Sequence, residues 1–515
     1  MKTNLYLLGL LILISACDST MQIEEGTSEI NLLPAPKEVT AAEKSVVLST
    51  NSRSYTADEE LRPLLTLFAE EVEKVAGVKI ETASTENDQA DLLFALDASM
   101  AKESYEIEIN HPIQVKGGSY AAVAMAKTTL LQLIAKEGNT LKLPMLTIKD
   151  APDAAYRGLM IDLARQWHSI ETVKQLVDLA AFYKINYLQL HFTDYQSYTL
   201  PSQHFPNLTT PGRSYRVAEL KELETYSQLR GVTIIPEVDV PGHSSPFVKS
   251  YPEIFAIQDT ASNPWIINMG NEAVYEALDQ IIGELVEIFK ASPYFHIGGD
   301  EAIFNKVEDD PKVQAYIAKH GIAQDVHELY RHFLVRMNKI VKKHNKQMCV
   351  WEGFGREGEI EIPKDIIVFE FETNRYLPNH LVEDGYTVVN TSWKPLYVVN
   401  QKKWEPQTIY NWNMWRWENW WPKAPSYQPI QVAKTPLIVG AQMCAWEQAG
   451  EVEIPSIRRR LPAFVERIWN TEETISFEEW ASRIDETDTR LSRLISDTRQ
   501  DSLLNGHNFV APTED

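Results

Sequence analysis

The sequence predicts an α/β chain: a (β/α)8 TIM barrel preceded by a small α+β domain. Three observations carry this. The chain has 515 residues, more than one average domain. After Asp150-Ala151-Pro152-Asp153, short apolar runs recur, several ending in polar or aromatic residues just before a helical segment. Before that point, alternating stretches are mixed with amphipathic helices.

The elements follow in order. Lys2, an apolar run from Leu5 to Ile14 and Ser15-Ala16-Cys17 describe a secretory signal over residues 1–17. The run falls short of the ~20 residues that span a bilayer as a helix. Leu13-Ile14-Ser15-Ala16-Cys17 resembles a bacterial lipobox, so lipidation is expected at Cys17, with export and a lipid anchor in the bacterial outer membrane, on its periplasmic or cell-surface face. Residues 18–30 read as a polar tether. The α+β domain spans 31–150, with helices over 61–75 and 121–135 and strands over 91–96 and 104–109. No side-chain cluster in it looks chemical.

The barrel spans 151–475. Its eight candidate strands lie at 158–163, 187–191, 232–238, 294–297, 348–351, 366–371, 387–390 and 437–446. Continuous apolar runs suit parallel strands buried on both faces. Barrel enzymes place their chemistry at the C-terminal strand ends. The residues there include Asp162 and Arg165, His191 and Asp194, Glu237 and Asp239, Asp300 and Glu301, Trp351-Glu352 and Trp446-Glu447. Residues 476–515 read as a helix and a tail.

A net charge of −23 argues against nucleic acid as a partner, because phosphate binding relies on basic patches. Cys349 and Cys444 sit in apolar stretches without metal-type spacing, so buried thiols are expected, with no metal and no cofactor. Oligomeric state is not legible.

His296-Ile297-Gly298-Gly299-Asp300-Glu301 follows the fourth candidate strand. The two glycines allow a tight turn and leave room for a ligand. The consecutive acids project in different directions and are suited to separate tasks; taken alone, they also fit a helix start. The hexapeptide resembles the signature of family-20 glycoside hydrolases, the β-N-acetylhexosaminidases. Other fragments match in family order: Tyr156-Arg157-Gly158 through Asp162 and Arg165, Lys184 through Asp194, Ile235 through His243, and Leu461 through Trp469.

The resemblance implies an exo-acting enzyme that removes terminal β-linked N-acetylglucosamine or N-acetylgalactosamine from glycans. Most glycosidases use two carboxyl groups flanking the scissile bond, but this family belongs to the substrate-assisted exceptions. There the 2-acetamido oxygen attacks the anomeric carbon and forms an oxazolinium. Glu301 would then be the acid/base, and Asp300 would hold the acetamido N–H. Burial and the neighbouring acid are expected to raise the pKa of Glu301. By the same resemblance Arg157 grips sugar hydroxyls, Asp194 and His243 orient the pair, Tyr397 bonds the acetamido oxygen, and Trp351 and Trp446 form walls.

The chain departs from the family pattern in three places. The loop after the second strand reads Asp194-Tyr195-Gln196-Ser197-Tyr198-Thr199 in place of Asp-Asp-Gln-Gly-Trp-Arg. Phe371 stands nearest a usual tryptophan. Val399 and Gln448 replace two acids that commonly contact the 4- and 6-hydroxyls, although Glu447 lies one place earlier. The neutral rim allows a 6-sulfated N-acetylglucosamine, with Lys402, Lys403 and Arg416 as candidate counter-charges. A different class of reading is a glycan-binding lipoprotein with a decayed site; a third is release of a disaccharide. Residues 404–421 are dense in tryptophan, which suits a loop core, an oligomer contact or an aglycone platform; at least one ring is expected to reach the substrate.

Overall fold

The computed structural model describes residues 21–26, 30–83, 90–400, 402–472 and 475–496. Cys17 and the signal segment lie outside the described residues.

The first domain is a mixed sheet covered by two helices. Glu38–Leu48 and Tyr105–Ile109 flank Thr140–Asp150 antiparallel, and Leu92–Leu96 runs parallel to Ile113–Gly117. Helix Arg62–Ala76 starts with Pro63 in its first turn and ends at Gly77, whose φ of +66° suits glycine. Helix Tyr120–Leu133 is capped by Ser119, whose hydroxyl accepts from Ala122 N at 3.2 Å. This second helix is buried along almost its whole length. It lies between the sheet and the barrel, and Gln132 Nε2 donates to Phe182 O at 3.0 Å. Met21–Glu25, read from sequence as tether, pairs with Glu38–Leu48 as an edge strand.

The second domain is a closed barrel of eight parallel strands: Tyr156–Asp162, Tyr187–His191, Thr233–Glu237, Tyr294–His296, Gln347–Trp351, Ile367–Glu370, Thr387–Asn390 and Ile438–Trp446. The first pairs with both the second and the eighth, which closes the ring. Each predicted apolar run matches one of these strands to within two residues at either end. Gly440 is required where the ring closes, because a Cβ there would stand 1.8 Å from Tyr156 O. A short strand, Tyr397–Val399, lies parallel against Cys444–Trp446 and brings Tyr397 to the C-terminal mouth.

Inside the barrel, Met160, Ile235, Cys349, Phe369, Val389 and Cys444 form an apolar core separate from the outer one. A polar column threads it. Tyr156 Oη donates to Gln442 Oε1 (2.8 Å), Gln442 Nε2 to Gln189 Oε1 (3.0 Å), and Gln189 Nε2 to Glu237 Oε2 (2.8 Å). Each polar atom so buried needs a partner, and the column ends at the catalytic face.

The domains share a buried hub. Asp150 accepts from Tyr105 Oη (2.5 Å) and Trp469 Nε1 (2.9 Å), and Lys184 Nζ lies 3.6 Å from it. The C-terminal helix Phe477–Leu494 packs on Arg62–Ala76 and ties the end of the chain to the first domain.

Candidate active site

The site is built where strands end. Asp162, closing the first strand, accepts from Ala164 N and Arg165 N at 3.0 and 2.9 Å, so the chain turns and Arg165 faces the barrel mouth. Its guanidinium Nη2 lies 2.6 Å from Asp194 Oδ2, and its plane stands over the Trp446 ring, 4.8 Å from the centroid.

After the fourth strand, Gly298 (φ +70°) and Gly299 (φ +96°) bend the backbone sharply. A Cβ on Gly298 would lie 1.8 Å from Asp239 Oδ1, the oxygen that accepts from Gly299 N at 3.0 Å. Both glycines are therefore fixed by close approach as well as by φ. The turn delivers Asp300 and Glu301 to the mouth. Glu301 itself has φ +45°, a strained conformation for a residue with a Cβ.

The two acids meet different surroundings. Asp300 is buried, and its Oδ1 has no hydrogen-bond partner among the described residues. Burial pushes its carboxyl up, His243 opposes this, and Glu301 and Glu237 add to it. Glu301 has a half-exposed side chain, with Oε2 3.4 Å from His243 Nε2. His243 Nδ1 in turn lies 3.1 Å from Asp194 Oδ1, forming an Asp194–His243–Glu301 relay. Burial favours the neutral imidazole, but Asp239, Asp194, Glu301 and Asp300 outweigh it and push His243 up to about 12. Burial likewise works against charge on Asp194, yet His191, His243 and Arg165 hold it far below the usual carboxylate range. The hydrogen bond from His243 is the largest influence on Glu301 and lowers it. The expected rise is thus reversed: a cationic imidazole outweighs burial.

Aromatic rings enclose the space beside the pair. Phe371 and Tyr397 are parallel, with centroids 6.1 Å apart; Trp446 lies 6.2 Å and Trp393 4.7 Å from Tyr397. Trp351 is buried behind this cage and donates from Nε1 to Glu237 Oε1 at 2.6 Å. The resulting cavity, about 160 Å³, reaches Arg165, Asp300, Glu301, Val399 and Glu447 as well as the rings. A second cavity of about 460 Å³ opens on the other side of Glu301, toward Tyr195, Trp265 and Arg375.

Among the described residues, two sets hold donor atoms within 4.8 Å of one another: His191, Glu237 and Asp239, and Asp239, His243 and Asp300. In both, a histidine is already engaged by a carboxylate. His191 Nδ1 lies 3.0 Å from Glu237, and His243 bridges Asp194 and Glu301.

Residues 155–472 match the glycosyl hydrolase family 20 catalytic domain, and residues 29–151 match domain 2 of the same family. The chain belongs to glycosyl hydrolase family 20. It is 30% identical over 330 residues to a beta-hexosaminidase of Vibrio furnissii, covering 58% of this chain and 53% of that protein. It is 26% identical over 375 residues to a beta-hexosaminidase of Porphyromonas gingivalis, covering 66% and 48%. The chain thus spans about half the length of these two curated relatives. In fold it is similar to the exo beta-N-acetylglucosaminidase of Vibrio harveyi (TM-score 0.78, 23% identity, 93% of this chain and 79% of that one). It is also similar to the beta-N-acetylhexosaminidase of Bacteroides fragilis (TM-score 0.75, 22% identity, 88% and 94%).

Against this family-20 frame, the structure places Asp300, Glu301, Asp194, His243, Phe371, Tyr397 and Trp446 together at the mouth, with Trp351 behind them. Trp351, expected as a wall, lines neither cavity, and two more expected substrate-binding residues lie away from the mouth. Arg157 sits at the N-terminal end of the first strand, fully buried, donating to Ala154 O (2.7 Å), Lys184 O (3.0 Å) and Glu103 Oε1 (2.8 Å). A residue at that end of a barrel strand serves stability; Arg165, three residues past the strand's other end, faces the cavity instead. Gln448 is also fully buried, its Nε2 donating to Trp446 O at 2.7 Å and its Oε1 accepting from Ser456 Oγ at 3.0 Å. Glu447, with φ +59°, turns outward and lines the cavity, 3.6 Å from Arg165 Nε.

The tryptophan-rich segment is mainly a loop core. Trp417 Nε1 donates to Glu370 O at 3.1 Å, Trp412 lies against Phe464, and Tyr410 packs on Phe477 and Trp480. None of its rings lines either cavity beside Asp300 and Glu301; Trp393, just before it, lines the smaller one. Trp393 could have been suspected from its place four residues before Tyr397. Trp265 and Arg375 lie on loops with no sequence signal.

Proposed function

We propose that this chain hydrolyses terminal, non-reducing, β-linked N-acetylhexosamine with retention, through an oxazolinium intermediate. The carrying observation is the unpartnered, buried Asp300 Oδ1 beside Glu301 at the wall of an aromatic cage. An acceptor with no protein donor suits the acetamido N–H, and the rings suit its methyl and the sugar's C–H faces.

In the first step the acetamido oxygen bonds to C1, the C1–O bond to the leaving residue breaks, and Glu301 gives its proton to that oxygen. In the second, Glu301 takes a proton from water as the water oxygen attacks C1 and the oxazolinium opens. Asp300 holds the N–H and faces the positive charge that develops. Tyr397 directs its hydroxyl toward the acetamido oxygen, and Arg165 takes the hydroxyl-gripping role expected of Arg157. Proximity of this internal nucleophile contributes on the order of 7–11 kcal/mol in the best cases, and a positioned acid ~10²–10⁴-fold.

Release of nitrophenol from an aryl N-acetylglucosaminide tests the reaction, and Glu301→Gln should abolish it. No turnover on any acetamido sugar would favour the binding-protein reading. One observation favours a 6-sulfated substrate: Val399, a neutral residue, lines the cavity where an acid was expected; its backbone pairs with Lys402, whose ammonium stands over the Trp420 ring at 3.3 Å and 5.2 Å from the Trp393 ring. Lys403 and Arg416 are engaged elsewhere, with Ser456 and Glu418. Equal kcat/KM on plain and 6-sulfated aryl glycosides would dismiss it.

The anchor at Cys17, and with it an outer-membrane location, rests on sequence alone. Loss of detergent-phase partitioning in Cys17→Ser tests it.

A further inference from the structure

The larger cavity adjoins the smaller one at Glu301, which lines both. With the acetamido group beside Asp300, the oxygen that Glu301 protonates must leave toward this second space. Its volume, about 460 Å³, lies within the range of small-ligand sites. Two of its rings are unusually open for their size, Tyr195 at 48% and Trp265 at 42% exposure. Among the described residues neither ring packs against another aromatic ring, while both face the cavity, an arrangement suited to stacking on a sugar face.

Arg375 supplies the polar element. Its loop is pinned from below: Arg375 N and Tyr376 N donate to the buried Glu352 Oε1 at 2.6 and 2.7 Å, and Thr373 N donates to Glu370 Oε1 at 2.7 Å. The backbone is thus fixed while the guanidinium is exposed and makes no hydrogen bond or ion pair among the described residues. The acids near it are Glu301, which carries a proton when it acts as acid, Glu372, whose carboxyl burial and Glu301 push up, and Glu352 beneath the loop, whose carboxyl burial pushes up and Arg375 partly holds down. His243, the other cationic group on the wall, is committed to Asp194 and Glu301.

We infer that Tyr195, Trp265 and Arg375 bind the leaving residue, and that this residue is an acidic sugar bearing a carboxylate or a sulfate. This rests on the reaction proposed above. A planar guanidinium on a fixed loop matches either anion with two parallel hydrogen bonds. Tyr195 stands where the family pattern has an acid, so repulsion toward such a substituent is removed at the same wall.

Three disaccharides test this, each with N-acetylglucosamine β-linked to one residue: glucuronic acid, a sulfated glucose, or plain glucose. An aryl N-acetylglucosaminide serves as reference. The expected result is a kcat/KM at least about tenfold higher on one or both anionic disaccharides than on the neutral one, with the ratio collapsing toward one in Arg375→Gln. A preference confined to glucuronide or to sulfate identifies the anion. Hydrolysis of all substrates without an anionic preference overturns the inference and leaves the reaction standing, as does a preference that survives in Arg375→Gln. No turnover on any substrate overturns both. Thermal melting of Arg375→Gln close to wild type separates loss of recognition from loss of fold.

Discussion

Glu301 is an ordinary residue in an unusual setting: a strained φ, a half-exposed side chain and a histidine held cationic chiefly by Asp239 and Asp194. These have a pH consequence. Because His243 lowers Glu301, the free enzyme holds the protonated acid mainly at low pH, and kcat/KM reports the free enzyme. We expect kcat/KM to fall as pH rises through and beyond the ordinary glutamate value of about 4.3. Replacing His243 with Ala should shift this limb to higher pH, because the largest lowering influence is gone. A limb that stays in place with only a smaller amplitude would leave His243 no electrostatic role. The two arginines near the first strand separate by readout. Arg157→Met should lower stability by about 1–3 kcal/mol through orphaned carbonyls, with KM near wild type. Arg165→Met should raise KM or lower kcat/KM instead. Melting curves and steady-state kinetics on the pair check both. The sequence made Asp300 and Glu301 visible because two glycines and two acids in a row are a local pattern. The strand reading already put Arg157 before the first strand and Arg165 past its C-terminal end; the resemblance gave the sugar-gripping role to Arg157 without regard to which end of the strand each occupies. Gln448 and Glu447 were confounded for a similar reason: one left-handed residue reverses which neighbour faces out.

At the scale of elements, the loop after the fourth strand is the most constrained piece of backbone in the site. Gly298→Ala adds a Cβ inside the Asp239 carboxylate and forces a residue with a side chain into a left-handed φ. Displacing a reacting group by ~1 Å can cost about 10²-fold, so kcat/KM should fall by at least that factor. Wild-type kinetics in Gly298→Ala would show that the turn has slack the close contact denies. All eight barrel strands were legible because parallel strands buried on both faces read as unbroken apolar runs. The first domain was less so. Its helices were placed within about two residues, but its two longest strands were not read: Glu38–Leu48 is exposed along its first half, and the alternation of Thr140–Asp150 slips at Leu143-Pro144. The aromatic density of 404–421 was read as a substrate surface, whereas the rings fill the space between a long loop and the closing helices. Composition alone does not distinguish a ring facing a sugar from a ring facing Phe464.

The whole molecule is joined through buried polar contacts as well as apolar packing. Asp150 sits at the boundary and gathers Tyr105 from one domain with Trp469 and Lys184 from the other. Asp150→Ala leaves the ammonium of Lys184 buried without its acid, a change that typically costs about 3–5 kcal/mol. The melting temperature should drop, with chemistry at the opposite end of the barrel changed little per folded molecule. An unchanged melting temperature would remove the hub's structural role. This long-range junction could not be read from the sequence, since its members are more than 300 residues apart at the extremes.

The central claim is that the substrate supplies the nucleophile and that Asp300 and Glu301 serve it. The most direct measurement is kcat/KM for aryl glucosaminides whose N-acyl group is acetyl, fluoroacetyl, difluoroacetyl or trifluoroacetyl. Each fluorine weakens the acyl oxygen as a nucleophile while changing its size little. A steep, progressive fall across the series, with no turnover of the corresponding plain glucoside, is the predicted result. A flat series, or a glucoside cleaved at a comparable rate, would contradict it.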